Sequence, residues 1–296
     1  MPGLITFVTH NNIDKQRWNA CIDNSINALP YAYSWYLDVV TNNKWDAFIA
    51  DDYSAVFPLP YHRKYIIKSC YQPLFTQQLG LFSANAEMVN QPLPFIQLLK
   101  EKYFKYYLHL NAANPYHAGL SQRITQQVSL NKTYESVYEN YSSVVKNNLH
   151  RFGKINYEIH YSTDTSAIVD FTRNNIGDKV KGLKNADYER LKNLLKTIVS
   201  NNIGFVVQIT DKNQQILAAA FIIKSNKKLI YLLAASTQAG RKLNAMTTLI
   251  DDIFKKYIGA DFIFDFEGSM IPGIWNFYKN FGAETIEFGV VKNKII

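Results

Sequence analysis

Cysteine is scarce. The 296 residues hold two, Cys21 and Cys70, too few for a disulfide framework and in no metal-ligand spacing, so both read as reduced structural side chains. The histidines, His10, His62, His109, His117, His150 and His160, likewise fall in no metal spacing, and no G-x-S-x-G or activated-cysteine context accompanies them. No metal site is expected, and nucleophilic catalysis through a serine elbow or through Cys70 is set aside. No window approaches the ~18 to 20 apolar residues of a membrane helix, and the opening MPGLITFVTHNN lacks the basic-then-apolar run of a signal peptide. The expectation is therefore a cytoplasmic protein without membrane insertion. Heptads, low-complexity tracts, short solenoid repeats and a Gly/Ser linker are also missing.

Aromatic residues and positive charge are abundant. A formal charge of +8 suits an anionic partner such as a nucleotide, a coenzyme or RNA, and equally suits a basic surface that is merely solvated. Among 20 Tyr and 18 Phe, Tyr31, Tyr33 and Tyr36 are too closely spaced for all to share one buried face, so some are expected to line a cleft.

Along the chain the pattern is mixed α/β. A short strand LITFVT and a helix from Asp14 to Ala28 precede a second helix, Tyr33 to Val40. Strand-like runs WDAFIAD, YSAVFPLPY and KYIIKSCY follow, the second confined by Pro58 and Pro60 to a sheet edge or a bend. After a helix from Pro92 to Tyr103 come FKYYLHLN and RITQQVSL. At Thr133 the pattern changes to one basic-ended helix, TYESVYENYSSVVKNNLHRFGK. Next come a strand (YEIHY), two helices, three successive strands, a helix from Lys242 to Tyr257, the strand FIFDF, a helix from Pro272 to Phe281 and a last strand. This divides the chain into 1–132 and 133–296.

The second half has the element order of the GNAT acyltransferase fold, and DFEGS, IPG and FYKNFGAE resemble the C-terminal signature of the FemAB/FemX-like acyltransferases. YSSVVKNNLHRFGK resembles their basic helix, and YAYSWYLD, WDAF, PLPY and YQPLFTQQLG resemble a FemAB-related group of bacterial proteins. Together these stretches span most of the chain. The resemblance implies an α/β (α+β) fold of two tandem GNAT-like domains, each a mixed central sheet flanked by helices. Two departures stand out. Where coenzyme-A sites carry Q/R-x-x-G-x-G/A, this chain reads RKLNAM: Arg241 keeps the first position, while Asn244 and Met246 replace the glycines that let backbone N–H groups approach a pyrophosphate. In the F-K-K-x-F/Y pattern Tyr278 replaces the first lysine and Lys279 keeps the second.

Forming an amide by acyl transfer requires a proton acceptor, stabilisation of an oxyanion and two substrates held together. Asp265 and Glu267 lie two apart and share a face if the strand runs on that far; Glu267 is the expected base, with Asp265 and Lys279 beside it. The alternative is that Asp265 caps the turn and Glu267 is solvated. Ser269 either caps the next helix or meets substrate. Gln77 and Gln78, beside Phe75 and after Tyr71, suit an amide or sugar, or else hold a buried turn; Tyr33, Trp35, Tyr36 and Tyr278 complete the expected substrate surface.

These residues suggest an acyl- or aminoacyltransferase acting on an amino group of a small or cell-envelope-precursor acceptor, in a cleft between two GNAT-like domains. Its cosubstrate would be acyl-coenzyme A or aminoacyl-tRNA, with nothing tightly bound. Arg241, Asn244, Lys146 and Arg151 are the expected donor-binding residues, and their charge does not choose between tRNA and coenzyme. A non-catalytic tandem GNAT-fold binding protein is the alternative that the altered RKLNAM loop favours. No RNA-binding sheet signature is present, and no DNA partner is expected.

Overall fold

The computed structural model describes residues 3–115, 120–176, 182–268 and 270–293; Ser269 and His117 lie outside them. The chain forms two compact units, residues 1–124 with 286–296, and residues 125–285.

The first unit contains β1 (Ile5–Val8), α1 (Lys15–Asn24), α2 (Ser34–Thr41), β2 (Trp45–Ala50), β3 (Ala55–Lys64), β4 (Ile67–Cys70), β5 (Phe82–Ser83), α3 (Ala86–Val89), α4 (Leu93–Lys102) and β6 (Tyr107–His109), and ends inside β7 (Ser121–Ser129). Strand order is β1-β2-β3-β4, with β5 also on β3. Pro58 and Pro60 fall where β3 pairs only with β2, between its pairings with β5 at Ala55–Val56 and with β4 at Tyr61–Lys64. There the missing N–H donors cost no ladder bond. Trp18, Trp45, Phe57, Phe82 and Phe95 fill the core, and the buried Trp18 indole N–H finds the Ala32 carbonyl at 2.7 Å.

The second unit continues with α5 (Tyr134–Glu139), α6 (Ser143–Phe152), β8 (Tyr157–Ser162), α7 (Ile168–Ile176), α8 (Asn185–Ser200), β9 (Gly204–Asp211), β10 (Ile216–Ser225), β11 (Lys228–Ser236), α9 (Gln238–Leu243), α10 (Ala245–Tyr257), β12 (Ile263–Asp265) and α11 (Pro272–Lys279), and the chain closes with β13 (Glu284–Lys292). Its strands run β7-β12-β11-β10-β9-β8, antiparallel except for β11 with β12. Central β10 is apolar on both faces. Ala218, Ala220 and Ile222 join a core with Leu249, Ile250, Ile253 and Phe254 of α10 and with Phe264 and Phe266, while Ala219, Phe221 and Ile223 are buried on the other face, the period-2 signature of a covered central strand.

The boundary differs from the one expected after residue 132. It cuts β7 after Ile124, and β13 carries the chain back to the first unit at Ile286. A local change from strand to helix pattern cannot reveal the return of a last strand. The single helix expected from Thr133 is two, because Ser142 starts a new one, its side chain accepting from Val145 N–H at 3.4 Å, as N-cap serines do. The helix expected from Lys242 is also two, broken where Asn244 takes φ +57°. Gly240 lets α9 lie on β10, since a Cβ there would stand 1.9 Å from the Leu217 carbonyl oxygen. Among the described residues no helix is long and apolar enough to cross a membrane.

Candidate functional site

In the second unit β12 ends at Asp265, and the two residues expected to share a strand face do not. Glu267 takes φ +58°, as does Gly268, so the strand alternation stops and the chain turns toward α11. Asp265 is 3% exposed. Its Oδ1 accepts from Thr125 Oγ1 at 2.5 Å and from Glu267 N–H at 2.9 Å, its Oδ2 from Gln127 Nε2 at 2.7 Å, and the Lys228 ammonium stands 3.7 Å away. A buried carboxyl group needs such partners to offset its lost hydration. Asp265, expected beside the base, is thus enclosed by donors, and its bonds fix the strand end and hold the Glu267 peptide.

Glu267 is partly exposed and lies close to Tyr278. The Tyr278 ring stacks on Phe266, centroids 4.4 Å apart and planes at 21°, and meets Tyr231 edge-on at 6.2 Å. Burial, and secondarily the Glu267 charge, push the Tyr278 phenol well above its ordinary range, so it keeps its proton at neutral pH. Lys279, one residue on, is exposed with its ammonium 4.8 Å from the Trp275 ring centroid. Pro272 occupies the first turn of α11, where a missing N–H is harmless.

Beside this corner two strands part. β11 pairs with β12 only over Lys228–Ile230 but continues to Ser236, hydrogen-bonded on its other edge to β10. Tyr231 to Ser236 thus have no strand partner on the β12 side among the described residues, and backbone N–H and C=O groups of that edge are of the kind an extended ligand adds to.

The expected donor-binding residues are dispersed. Arg241 is exposed on α9, and its Nη1 already donates to the carbonyls of Ser236 at 2.5 Å and Asn175 at 3.0 Å, tying the end of β11 to the end of α7. Asn244 is exposed in the left-handed conformation that begins α10. On α6, Lys146 donates to the Glu139 carbonyl at 3.1 Å and lies over the Tyr138 ring, whereas Arg151 is exposed.

In the first unit, Tyr36 and Gln78, expected at a substrate surface, are instead buried. The Tyr36 hydroxyl donates to the Phe75 carbonyl. Gln78 Nε2 donates to Gln77 Oε1 at 2.7 Å, while its Oε1 accepts from Ala112 N–H at 2.7 Å. The Gln77 carbonyl accepts from His109 Nδ1 at 2.8 Å. Gln78 is thus held inside the turn by both ends of its amide. Tyr33, Trp35, Tyr71, Phe75 and Gln77 remain partly exposed: Tyr33 stacks on Trp35 at 5.6 Å and donates to Asp23, and Tyr71 stacks on His62 at 3.5 Å.

Thr125, Gln126, Gln127 and Lys228 went unnoticed in the sequence. For the first three the signal was TQQ in the middle of a strand, polar on both faces, which a central position tolerates only when its side chains find partners; Lys228 had none. Gln126 is fully buried and donates to the Trp275 carbonyl at 3.2 Å, fastening α11 to β7, while its Oε1 has no partner among the described residues. No group of three or more His, Cys, Asp or Glu among those residues is placed to hold a metal.

No protein-family profile matches the sequence, and no curated protein matches it. Solved structures do. A crystal structure of FemX matches with a TM-score of 0.66 at 13% identity, over 97% of each chain. A conserved protein of unknown function from Bacteroides thetaiotaomicron VPI-5482 matches at 0.57 and 12%, over 98% of this chain and 100% of that one. The C-terminal domain of a putative lysylphosphatidylglycerol synthetase from Agrobacterium fabrum matches at 0.56 and 11%, over 94% and 91%. At such identities the likeness is one of fold, and the α+β fold of this chain is that of FemX, as DFEGS, IPG and FYKNFGAE led one to expect.

Proposed function

We propose that the protein is an N-acyl- or aminoacyltransferase whose chemistry takes place at the β12–α11 corner, with acyl-coenzyme A or aminoacyl-tRNA as donor and an amine of a small or cell-envelope-precursor molecule as acceptor. The observation that carries this reading is the placement of Glu267 and a protonated Tyr278 beside the point where β11 outruns β12. In the reaction the acceptor nitrogen attacks the donor carbonyl carbon, forming the C–N bond. The tetrahedral intermediate then expels the thiolate of the coenzyme or the ribose oxygen of the tRNA. Glu267 takes the proton lost by the nitrogen, and Tyr278 donates a hydrogen bond to the oxyanion or leaving group. Asp265 holds the Glu267 peptide in place.

A binding protein without catalysis is the second reading, favoured by one feature: Arg241 is engaged with backbone carbonyls, and Asn244 and Met246 stand where glycines would admit a pyrophosphate. Mass spectrometry of ligands retained by the purified protein, followed by turnover with the donor so identified and amine acceptors, separates the two. Under the transferase reading the amide product accumulates, and Glu267→Gln slows turnover by ~100- to 10,000-fold while leaving donor binding and folding intact. Donor retention with no transfer to any acceptor would establish the binding protein, and unchanged turnover in Glu267→Gln would remove Glu267 as the base.

A further inference from the structure

The hairpin of β3 and β4 ends in the longest run of exposed large apolar residues among the described ones. Tyr65 is 86%, Ile66 86% and Ile67 57% exposed. Single exposed apolar side chains are ordinary on a protein surface, but three in succession at a hairpin turn are not. The turn also contravenes its own chemistry. Tyr65 sits at φ +55°, a conformation that glycine or asparagine takes at little cost and a bulky residue takes with strain. Strain retained for the sake of an exposed aromatic points to use of that side chain.

The charges that the hairpin itself carries are of one sign. Residues 61–70, YHRKYIIKSC, contain no acid. Lys68 turns inward, its ammonium 2.6 Å from Asp46 Oδ2 and 3.9 Å from the Tyr61 ring centroid. Arg63 and Lys64 remain exposed at the base of the tip, with Arg63 Nε bracing the turn through the Tyr65 carbonyl at 3.0 Å. An aromatic ring, two aliphatic side chains and a collar of cations match the layered polarity of an anionic bilayer surface: acyl boundary, glycerol region, phosphates. A second copy of the chain would bring like charges together, and RNA offers isoleucine no stacking surface.

We propose that the β3–β4 hairpin docks this protein on anionic membrane surfaces, with Tyr65, Ile66 and Ile67 in the interfacial layer and Arg63 and Lys64 against lipid phosphates. The hairpin lies on the membrane and does not span it. The inference stands apart from the transferase reading, and either can fail without the other.

The test is sedimentation of the full chain with vesicles of phosphatidylcholine alone and of phosphatidylcholine containing about one-third phosphatidylglycerol. Binding is expected only to the anionic vesicles. Ile66→Ser combined with Ile67→Ser should lower partitioning ~10- to 100-fold from the apolar area lost, and Arg63→Gln combined with Lys64→Gln about tenfold. Because these side chains are exposed, thermal unfolding of the isoleucine variant should match the parent, and that of the Arg63/Lys64 variant, which loses the exposed bond to the Tyr65 carbonyl, should stay close to it. A Tyr65→Trp probe should shift its emission to the blue on anionic vesicles. Lack of sedimentation, an unaffected double-isoleucine variant or an unshifted probe would overturn the proposal. So would concentration-dependent self-association lost in the isoleucine variant, which would give the tip to a second copy, or tRNA binding lost only in the Arg63/Lys64 variant, which would give it to RNA.

Discussion

The tripeptide Thr-Gln-Gln occurs once in each unit, at Thr76–Gln78 and at Thr125–Gln127, and the two copies do opposite things. In the first unit it lies in a loop and closes on itself and nearby backbone: Gln78 bonds to Gln77 and to Ala112 N–H, and the carbonyls of Thr76 and Gln77 accept from Gln72 and His109. In the second it lies on β7. Strand alternation sends Thr125 and Gln127 to one carboxylate, Asp265, and Gln126 the other way, to Trp275. The same donors and acceptors stabilise a loop in one place and orient a candidate catalytic corner in the other. Side-chain chemistry supplies the inventory, and backbone periodicity decides its use.

Asp265→Ala should break the contrast most severely. It strips a buried acceptor from Thr125, Gln127 and the Glu267 peptide and leaves Lys228 without its carboxylate, at a cost of ~3 to 5 kcal/mol in urea unfolding. Any loss of turnover in a surviving folded fraction would then follow from a displaced Glu267.

Next in size is a pH effect in the first unit, at His109 on β6 where it meets the loop carbonyl of Gln77. Burial, opposed by the bond to the Gln77 carbonyl and aided by Arg123, pushes His109 down to about 4, whereas the second unit's His150 and His160 are exposed. Because the unfolded chain takes up this proton first, the stability His109 permits is whole above about pH 6.5 and falls as the pH drops toward 4, by ~3 kcal/mol in all. Unfolding measured across that window should show the slope, and His109→Gln should remove it.

Gln78→Ala should follow at ~1 to 3 kcal/mol, since Ala112 N–H loses its acceptor. Turnover should be unchanged once the fraction folded is taken into account; a specific rise in KM would instead return Gln78 to the substrate. The finest comparison is threonine against threonine. Thr125→Val removes a donor to a charged, buried acceptor and should cost ~1.5 to 3 kcal/mol, whereas Thr76→Val removes only a 3.4 Å contact to the Leu74 carbonyl and should stay within ~0.5 kcal/mol. Equal costs would show that both copies serve the same purpose.

Much of the fold was legible because its signals are local. β10 reads as an unbroken apolar run, Pro58 and Pro60 confine β3, and Pro272 begins α11. The two helix breaks were less visible, since Ser142 and Asn244 interrupt stripes of apolar residues that otherwise run on. The site was legible in part. DFEGS and FYKNFGAE point to the β12–α11 corner on which the proposal rests, but the burial of its residues could not be read from them. Asp265 and Glu267 are alike as letters. One is enclosed by donors from residues 140 and 138 positions earlier in the chain, and the other turns away at a positive φ.

By itself the sequence determined most of the strands and helices, the apolar faces, the net positive charge and the lack of metal-ligand spacings, because propensity, periodicity and composition act over a few neighbouring residues. Only the tertiary structure decided that β13 returns to the first unit, that β12 stops short of β11, and that Thr125 and Gln127 take Asp265 as their acceptor. Those outcomes depend on which strands become neighbours, and pairing between distant segments is settled by the burial of whole faces.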